Sequence, residues 1–286
     1  MNFPKYFADA ESSFRDATFI IFGIPYDKTS SFRKGAKKAP DSIRQASWNF
    51  ETYHINTGND LRDIKIHDYG NLSVENNKPQ DMIDKVKRFT MQILSNNKFP
   101  IALGGEHSVT PGIIQGYPSD IAVLSLDAHL DFRNQYENEK FNHACVTRRI
   151  SDKLGIENIA LLGIRSAEKE EFEDAKQQNL FFIDAFEIKK NGIKKALDKT
   201  KKFLKNKKVY LTLDIDVLDI PYAPGTSTPE PFGLTSFDIY ECIKCFSPQL
   251  VGFDVVEVCP TYDKGETALI AAKLVRYVLD LVFFKD

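Results

Sequence analysis

Short apolar runs recur along the chain, at residues 18–23, 100–103, 121–126, 158–163, 180–183, 209–213 and 250–254, each followed by a polar or glycine-containing turn. They are nearly continuous in apolar character and do not alternate, which is the pattern of strands buried on both faces. Between them lie amphipathic stretches at 80–96, 169–178, 192–205, 236–246 and 266–284. Strands alternating with helices predict an α/β chain with a mostly parallel sheet covered on both sides. The Lys-dense stretch 189–208 keeps Ile193, Ala196, Leu197, Phe203 and Leu204 as its apolar positions, so it reads as a solvated helix face and not as a polyanion site. No linker, repeat or shift in composition divides the chain. Residues 1–286 are therefore expected to form one domain.

Composition changes this picture little. The chain is 42% hydrophobic and 27% charged, with Lys+Arg 38 against Asp+Glu 40 and a formal net charge of −2. That balance gives no electrostatic reason to expect nucleic acid or an anionic membrane as partner. Residues 1–15 contain no apolar core of a signal peptide, and no segment approaches the roughly 18 apolar residues that span a bilayer, so a cytoplasmic protein is expected. Cys145, Cys242, Cys245 and Cys259 are scattered, as free thiols are. Cys242 and Cys245 have CxxC spacing, but no second pair or nearby His completes a zinc site, and they read as two thiols on a helix.

The chemistry gathers at strand ends. Of the five histidines, His107, His129 and His143 follow strand runs beside Gly, Asp or Asn, whereas His54 and His67 have no such setting and read as surface or packing residues. Asp127-Ala-His129-Leu-Asp131 ends the run 121–126, and side chains two apart share one face of an extended segment. The run 209–213 ends in Asp214-Ile-Asp216, two like charges that repel at the end of a buried strand unless a cation neutralises them. Asp219 precedes a Pro-rich loop and is expected to cap or brace it. Gly104-Gly-Glu-His107-Ser108 follows the run 100–103, with glycines that allow close backbone approach and a helix expected to begin near Ser108. In open α/β sheets such C-terminal strand ends form the ligand crevice. Together they offer His107, Asp127, His129, Asp131, Asp214 and Asp216, a mixture of carboxylates and imidazoles suited to Mn²⁺-like ions. Six ligands are too many for one ion with an open position; they suit two ions roughly 3.5–4 Å apart that share carboxylates and acidify a water between them.

These segments resemble the ureohydrolases, the arginase and agmatinase family. The family pattern is GG(D/E)HS, DAHxD, DxDxxDP-x-xAPGTGTPEP and a late D-V-V-E-x-x-P. Here the chain reads Gly104-Gly-Glu-His-Ser108, Asp127-Ala-His-Leu-Asp131, Asp214-Ile-Asp-Val-Leu-Asp219, Ala223-Pro-Gly-Thr-Ser-Thr-Pro-Glu-Pro231 and Asp254-Val-Val-Glu257-Val-Cys-Pro260, in that order. Gly23-Ile-Pro-Tyr-Asp27, Ser31-Phe-Arg-Lys-Gly35 and Ala39-Pro40 are similar to the start of the agmatinase branch. The resemblance implies a three-layer α/β/α fold with a mostly parallel eight-stranded sheet and two Mn²⁺ ions per subunit. It implies His107 and Asp131 on one ion, His129 and Asp216 on the other, and Asp127 and Asp214 touching both. It also implies a homo-oligomer, commonly a trimer or hexamer. Glu257 is expected to hold a guanidinium by a charge-assisted bidentate contact. His143, or Asp131, is expected to supply a proton to the departing amine as urea is released.

The substrate tail is expected to meet the loop 132–143. Arg133, Tyr136 and Glu137 stand there in places that match the agmatinase form. Acidic Glu137 and Glu139 suit an ammonium tail, while Arg133 suits a carboxylate. Agmatine is therefore the first expectation in this small-molecule class, with aminopropyl-agmatine, guanidinobutyrate and arginine as alternatives. Asn138, Asn142, Ser227, Phe232 and Cys259 depart from the family pattern, and none removes a metal ligand. The expected role is polyamine biosynthesis. Two other classes share the architecture: a non-catalytic metal-stabilised scaffold, and a single-zinc hydrolase like the histone deacetylases. The complete double set of ligands disfavours both.

Overall fold

A computed structural model describes residues 3–284. Its strands are β1 (Phe19–Gly23), β2 (Tyr53–His54), β3 (Asn59–Asp60), β4 (Ile66–Asn71), β5 (Phe99–Leu103), β6 (Ile121–Leu126), β7 (Ile159–Ile164), β8 (Phe181–Asp184), β9 (Lys208–Asp214) and β10 (Leu250–Val256). Eight of them form one sheet in the order β4-β1-β5-β10-β9-β6-β7-β8, and its pairings are parallel. β2 and β3 make a separate antiparallel hairpin. The helices are α1 (Ala39–Ser47), α2 (Pro79–Ser95), α3 (Thr110–Gly116), α4 (Val146–Leu154), α5 (Lys169–Gln177), α6 (Ala185–Asn191), α7 (Ile193–Leu204), α8 (Ser236–Phe246) and α9 (Glu266–Phe283).

Both faces of the sheet are apolar because successive strand residues feed opposite layers. In β9, Val209, Leu211 and Leu213 belong to the core layer that holds α1, α6, α7, α8 and α9, while Tyr210 belongs to the layer of α2, α3, α4 and α5 on the other side. The three-layer arginase-like architecture is thus built as the sequence predicts. The Lys-dense stretch is two helices, divided at Gly192 with φ 84, a left-handed angle that glycine adopts without strain. Cys242 and Cys245 are free thiols on α8, with Cys242 buried. Among the described residues no helix is long and apolar enough to cross a membrane.

Two features lock the periphery. The segment before β1 lies along the outer strand β4, where Ser12 N–H donates to the Ile66 carbonyl at 2.9 Å and Glu11 bridges His67 in antiparallel fashion. The β2–β3 hairpin is clipped to α9 by Asp280, whose carboxylate meets His54 Nδ1 at 2.6 Å and accepts from Thr57 Oγ1 at 2.8 Å and Asn59 Nδ2 at 2.6 Å. Burial opposes a charge on Asp280, yet the bonds from His54, Asn59 and Thr57 outweigh it and hold the carboxyl below the ordinary aspartate value. Its stabilising charge is therefore fully present above the usual aspartate range and is lost as pH falls through the depressed value. Asp280→Ala should cost about 3 kcal/mol, because buried donors lose their acceptor. Thermal melts at neutral pH should show the loss; an unchanged melting temperature would remove Asp280 from this role.

Candidate metal centre

Four adjacent strands, β5, β10, β9 and β6, deliver the candidate residues at their C-terminal ends. His107 follows β5 in a 3-10 turn (His107–Val109) that leads into α3. The preceding Gly105 has no room for a side chain, since a Cβ there would lie 1.9 Å from the Tyr26 carbonyl oxygen. Asp214 ends β9, and Asp216 sits in the turn Ile215–Val217, its N–H donating to Asp214 Oδ1 at 2.9 Å. Asp127, His129 and Asp131 do converge. Beyond Leu126 the chain stays paired with the segment after β7, where the Ala128 carbonyl accepts from the Arg165 and Ser166 N–H groups and His129 bridges Ser166 in parallel, and Asp131 then takes a left-handed φ of 49. Glu257, just past β10, has φ 62. Left-handed backbone at a non-glycine residue is strained and persists where the surroundings over-determine it.

The side chains form two overlapping groups. Ligand atoms of His107, Asp127 and Asp214 lie within 4.8 Å of one another, and so do those of Asp127, His129 and Asp216. Asp127 belongs to both. His107 Nδ1 is 3.1 Å from Asp127 Oδ2, 3.4 Å from Asp131 Oδ2 and 3.3 Å from Asp214 Oδ2, while His129 Nδ1 is 3.0 Å from Asp216 Oδ2. All six expected ligands are thus brought together.

The donor set fits divalent cations on its own chemistry. Thr212 Oγ1 donates to Asp254 Oδ1 at 2.6 Å, and Asp254 Oδ2 also accepts from Tyr210 and Thr110. With its one hydrogen directed at Asp254, Thr212 must accept from His107 Nε2–H at 3.0 Å. The proton on Nε2 leaves Nδ1 as a bare lone pair aimed at three carboxylates. His107 Nδ1 and Asp127 Oδ2 are both buried without a hydrogen-bond partner. Lone pairs facing lone pairs in a buried site call for a cation between them. Without a cation the cluster takes up protons in its place. Burial would lower His107 and His129, but the surrounding carboxylates reverse it and hold both well above the ordinary value. Burial and the neighbouring Asp127 push Asp131 up to about 7, and burial with Asp216 and Asp127 pushes Asp214 up. Asp216 moves down despite burial, through His129 and the Ala128 N–H. The cluster is short of positive charge.

A cleft of about 270 Å³ opens onto this cluster, lined by His129, Asp131, Asp214 and Glu257 deep down and by Arg133, Tyr136 and His143 further out. Glu257 is buried, with Oε1 accepting from His107 N–H at 2.6 Å and Oε2 from the Ser227 hydroxyl. Burial and the charge of Glu106 push it up to about 8, against the Ser227 bond. His143 rests on the loop after β1: its N–H donates to Thr29 Oγ1 at 3.0 Å, and Ser31 Oγ is 3.3 Å from Nε2. Burial, then the charge of His129, pushes His143 down to about 4. Glu137 is exposed and does not line this cleft; it faces a shallower depression beside the mouth. Asp219 Oδ1 accepts from Ile220 N–H at 3.1 Å, as a brace of its loop.

Sequence reasoning missed the supporting residues. Thr212 and Asp254 orient His107, and Glu106, wholly buried, accepts from Thr29, Ser30 and Ser108 to fix the loop beneath His143. Glu106 and Asp254 stand inside the family motifs, so position was a usable signal for them. His54 proves to be a packing residue, bonded to Asp280.

Residues 17–280 match the Arginase family. The chain is 37% identical to an agmatinase of Bacillus anthracis over 285 residues, covering 96% of this chain and 95% of that one. It is 37% identical to an N(1)-aminopropylagmatine ureohydrolase of Thermococcus kodakarensis over 266 residues, covering 91% and 89%. Among solved structures, an agmatine ureohydrolase of Thermoplasma volcanium superposes with a TM-score of 0.94 at 42% identity, covering 99% of this chain and 96% of that one.

Proposed function

The chain belongs to the arginase family, and on that premise we propose that it hydrolyses the guanidinium of agmatine to urea and putrescine, a step of polyamine biosynthesis. The observation that carries this reading is a single cleft holding two ligand groups that share Asp127, with the carboxylate of Glu257 beside them. The chain is an agmatinase-like ureohydrolase; agmatine as its own substrate is the proposal.

His107, Asp127, Asp131 and Asp214 would hold one Mn²⁺, and His129, Asp216 and the shared Asp127 the other; the family resemblance adds Asp214 as a second shared ligand. When bound, such a pair supplies Lewis acidity and a water that loses its proton near neutral pH. Glu257, giving up its proton as the cation enters, binds the guanidinium and fixes its orientation by a charge-assisted contact, using the lone pairs that His107 N–H and Ser227 leave free. The burial of Asp131 and Glu257 keeps bulk water from screening these contacts. Water adds its oxygen to the guanidinium carbon, the bond from that carbon to the alkylated nitrogen breaks, and His143 or Asp131 delivers a proton to the departing nitrogen. Arg133 and Tyr136 contact the tail at the mouth, and Glu137 acts from the adjoining depression. This reading takes residues 1–286 as one domain of a cytoplasmic homo-oligomer, trimer or hexamer, whose partner is a small guanidino compound.

A longer substrate, aminopropyl-agmatine, is favoured by one observation: the depression beside the mouth is lined by Glu137, Glu168, Glu170 and Asp174, which would suit a second ammonium. Urea release from agmatine, aminopropyl-agmatine, guanidinobutyrate and arginine, each with added Mn²⁺, tests both readings. Agmatine should give the highest kcat/KM. Urea from none of the four would sink the enzyme reading, and a higher value for aminopropyl-agmatine would replace the first reading by the second.

A further inference from the structure

Among the described residues that line the mouth, Arg133 is the arginine that could receive a substrate carboxylate, yet the structure holds it otherwise engaged. Its Nε is 3.3 Å from Glu171 Oε2 and its Nη2 is 3.4 Å from Glu168 Oε1, while its Cζ lies 4.7 Å from the centre of the Tyr136 ring. Glu171 cannot drift away from it. Its side chain is 5% exposed, and Oε1 accepts from the Phe132 N–H at 2.7 Å, one residue past Asp131. Glu168 and Glu171 also form the capping box that starts α5, each side chain accepting the other's backbone N–H. Both carboxylates therefore sit at the positive end of that helix, where negative charge is stabilised. Arg133 and the two glutamates together leave the mouth with one net negative charge, and all three line the cleft that reaches Asp131.

We propose that Glu171, with Glu168, clamps Arg133 out of service as a carboxylate receptor, which makes Glu171 a specificity-determining residue that favours guanidino compounds with a cationic tail over those with an anionic one. The inference rests on the ureohydrolase reading and adds to it the discriminating group. Discrimination of this kind works by repulsion: a carboxylate tail meets two glutamates and an already paired guanidinium, whereas an ammonium tail meets net negative charge. Glutamine at the two positions keeps the acceptors that the Phe132 N–H and the helix cap need, but frees the charge of Arg133.

The test is the ratio of kcat/KM for 4-guanidinobutyrate to that for agmatine, from urea release by the Mn²⁺-loaded protein, in wild type, E171Q and E168Q/E171Q, with melting temperatures as a folding check. The double variant should raise the ratio at least about 10-fold, and E171Q alone by less. Adding R133Q to the double variant should remove the gain. An unchanged ratio with both substrates falling in parallel overturns the clamp and leaves Glu171 a structural brace. A gain that survives R133Q also overturns it, since general charge at the mouth would then suffice. If the wild type releases no urea from either compound, the function reading fails by itself, and the same ratio is then read from calorimetric Kd values for the two compounds, with the same two outcomes deciding the clamp.

Discussion

Asp127→Ala is expected to lower kcat for urea release by about 10⁴-fold or more and to remove high-affinity Mn²⁺ binding with it. The reason is its shared position. Asp127 is the residue common to both ligand groups, fully buried, with Oδ2 facing His107 and Oδ1 accepting from the His129 N–H at 2.6 Å. Removing an ordinary ligand weakens one ion; removing this one disturbs both. The same burial gives the variant a second signature. In metal-stripped protein Asp127 repels Asp131 and Asp214 but also favours the charged His107 and His129 and accepts the His129 N–H, so each protein is compared with its own metal-stripped form. Added Mn²⁺ should then raise the melting temperature of wild type and not of the variant. Calorimetric Mn²⁺ titration and paired melts measure both effects. Full activity in Asp127→Ala would refute its assignment as a shared ligand.

The second large effect is expected from His143→Asn, a fall in kcat of about 10²–10³-fold with KM and Mn²⁺ affinity close to wild type. Thr29 directs its hydroxyl hydrogen at Glu106 Oε1, 2.7 Å away, so it can only accept from the His143 ring, whose Nδ1 is 3.4 Å from it. The hydrogen on Nδ1 leaves Nε2 with the lone pair, next to Ser31 at the edge of the cleft. Burial keeps this imidazole neutral, with Nε2 left as the atom that can accept a proton and pass it on. Asparagine keeps the polarity and cannot carry the proton. Steady-state kinetics with agmatine decides it: wild-type kcat in the Asn variant would leave His143 no part in proton transfer, and a parallel loss of Mn²⁺ affinity would make it a structural support of the cluster.

How far these conclusions were legible in the sequence depends on burial. Strands β1, β5, β6, β7, β9 and β10 are continuous apolar runs because layers cover both their faces. β4, Ile66-His-Asp-Tyr-Gly-Asn71, escapes the same reading because an outer strand is half solvated and can be polar. The ligands were legible because carboxylates crowded at buried strand ends repel one another unless a cation lies between them. Their supports were not. Thr212 reads as an ordinary β-branched strand residue, and Glu171 as one acid among many on a solvated helix. Each matters through a partner distant in sequence, as Thr212 does to His107 and Glu171 to Phe132, and local pattern carries no trace of that. Strand alternation is an incomplete reason for the convergence of Asp127, His129 and Asp131, since a left-handed turn at Asp131 completes it.

The outer strand β4 has a further consequence, for behaviour in concentrated solution. A parallel sheet that ends in an open strand offers its outward N–H and C=O groups as a template on which another molecule can pair. Here residues 11 and 12 occupy that row at Ile66 and His67, and the stretch before them is tied down by Phe7 N–H donating to Asp68 at 2.7 Å and by Arg276 pairing with Asp9 at 2.8 Å. Residues that take no part in hydrolysis thus act as a selvedge, keeping one edge of the sheet from being extended by its neighbours.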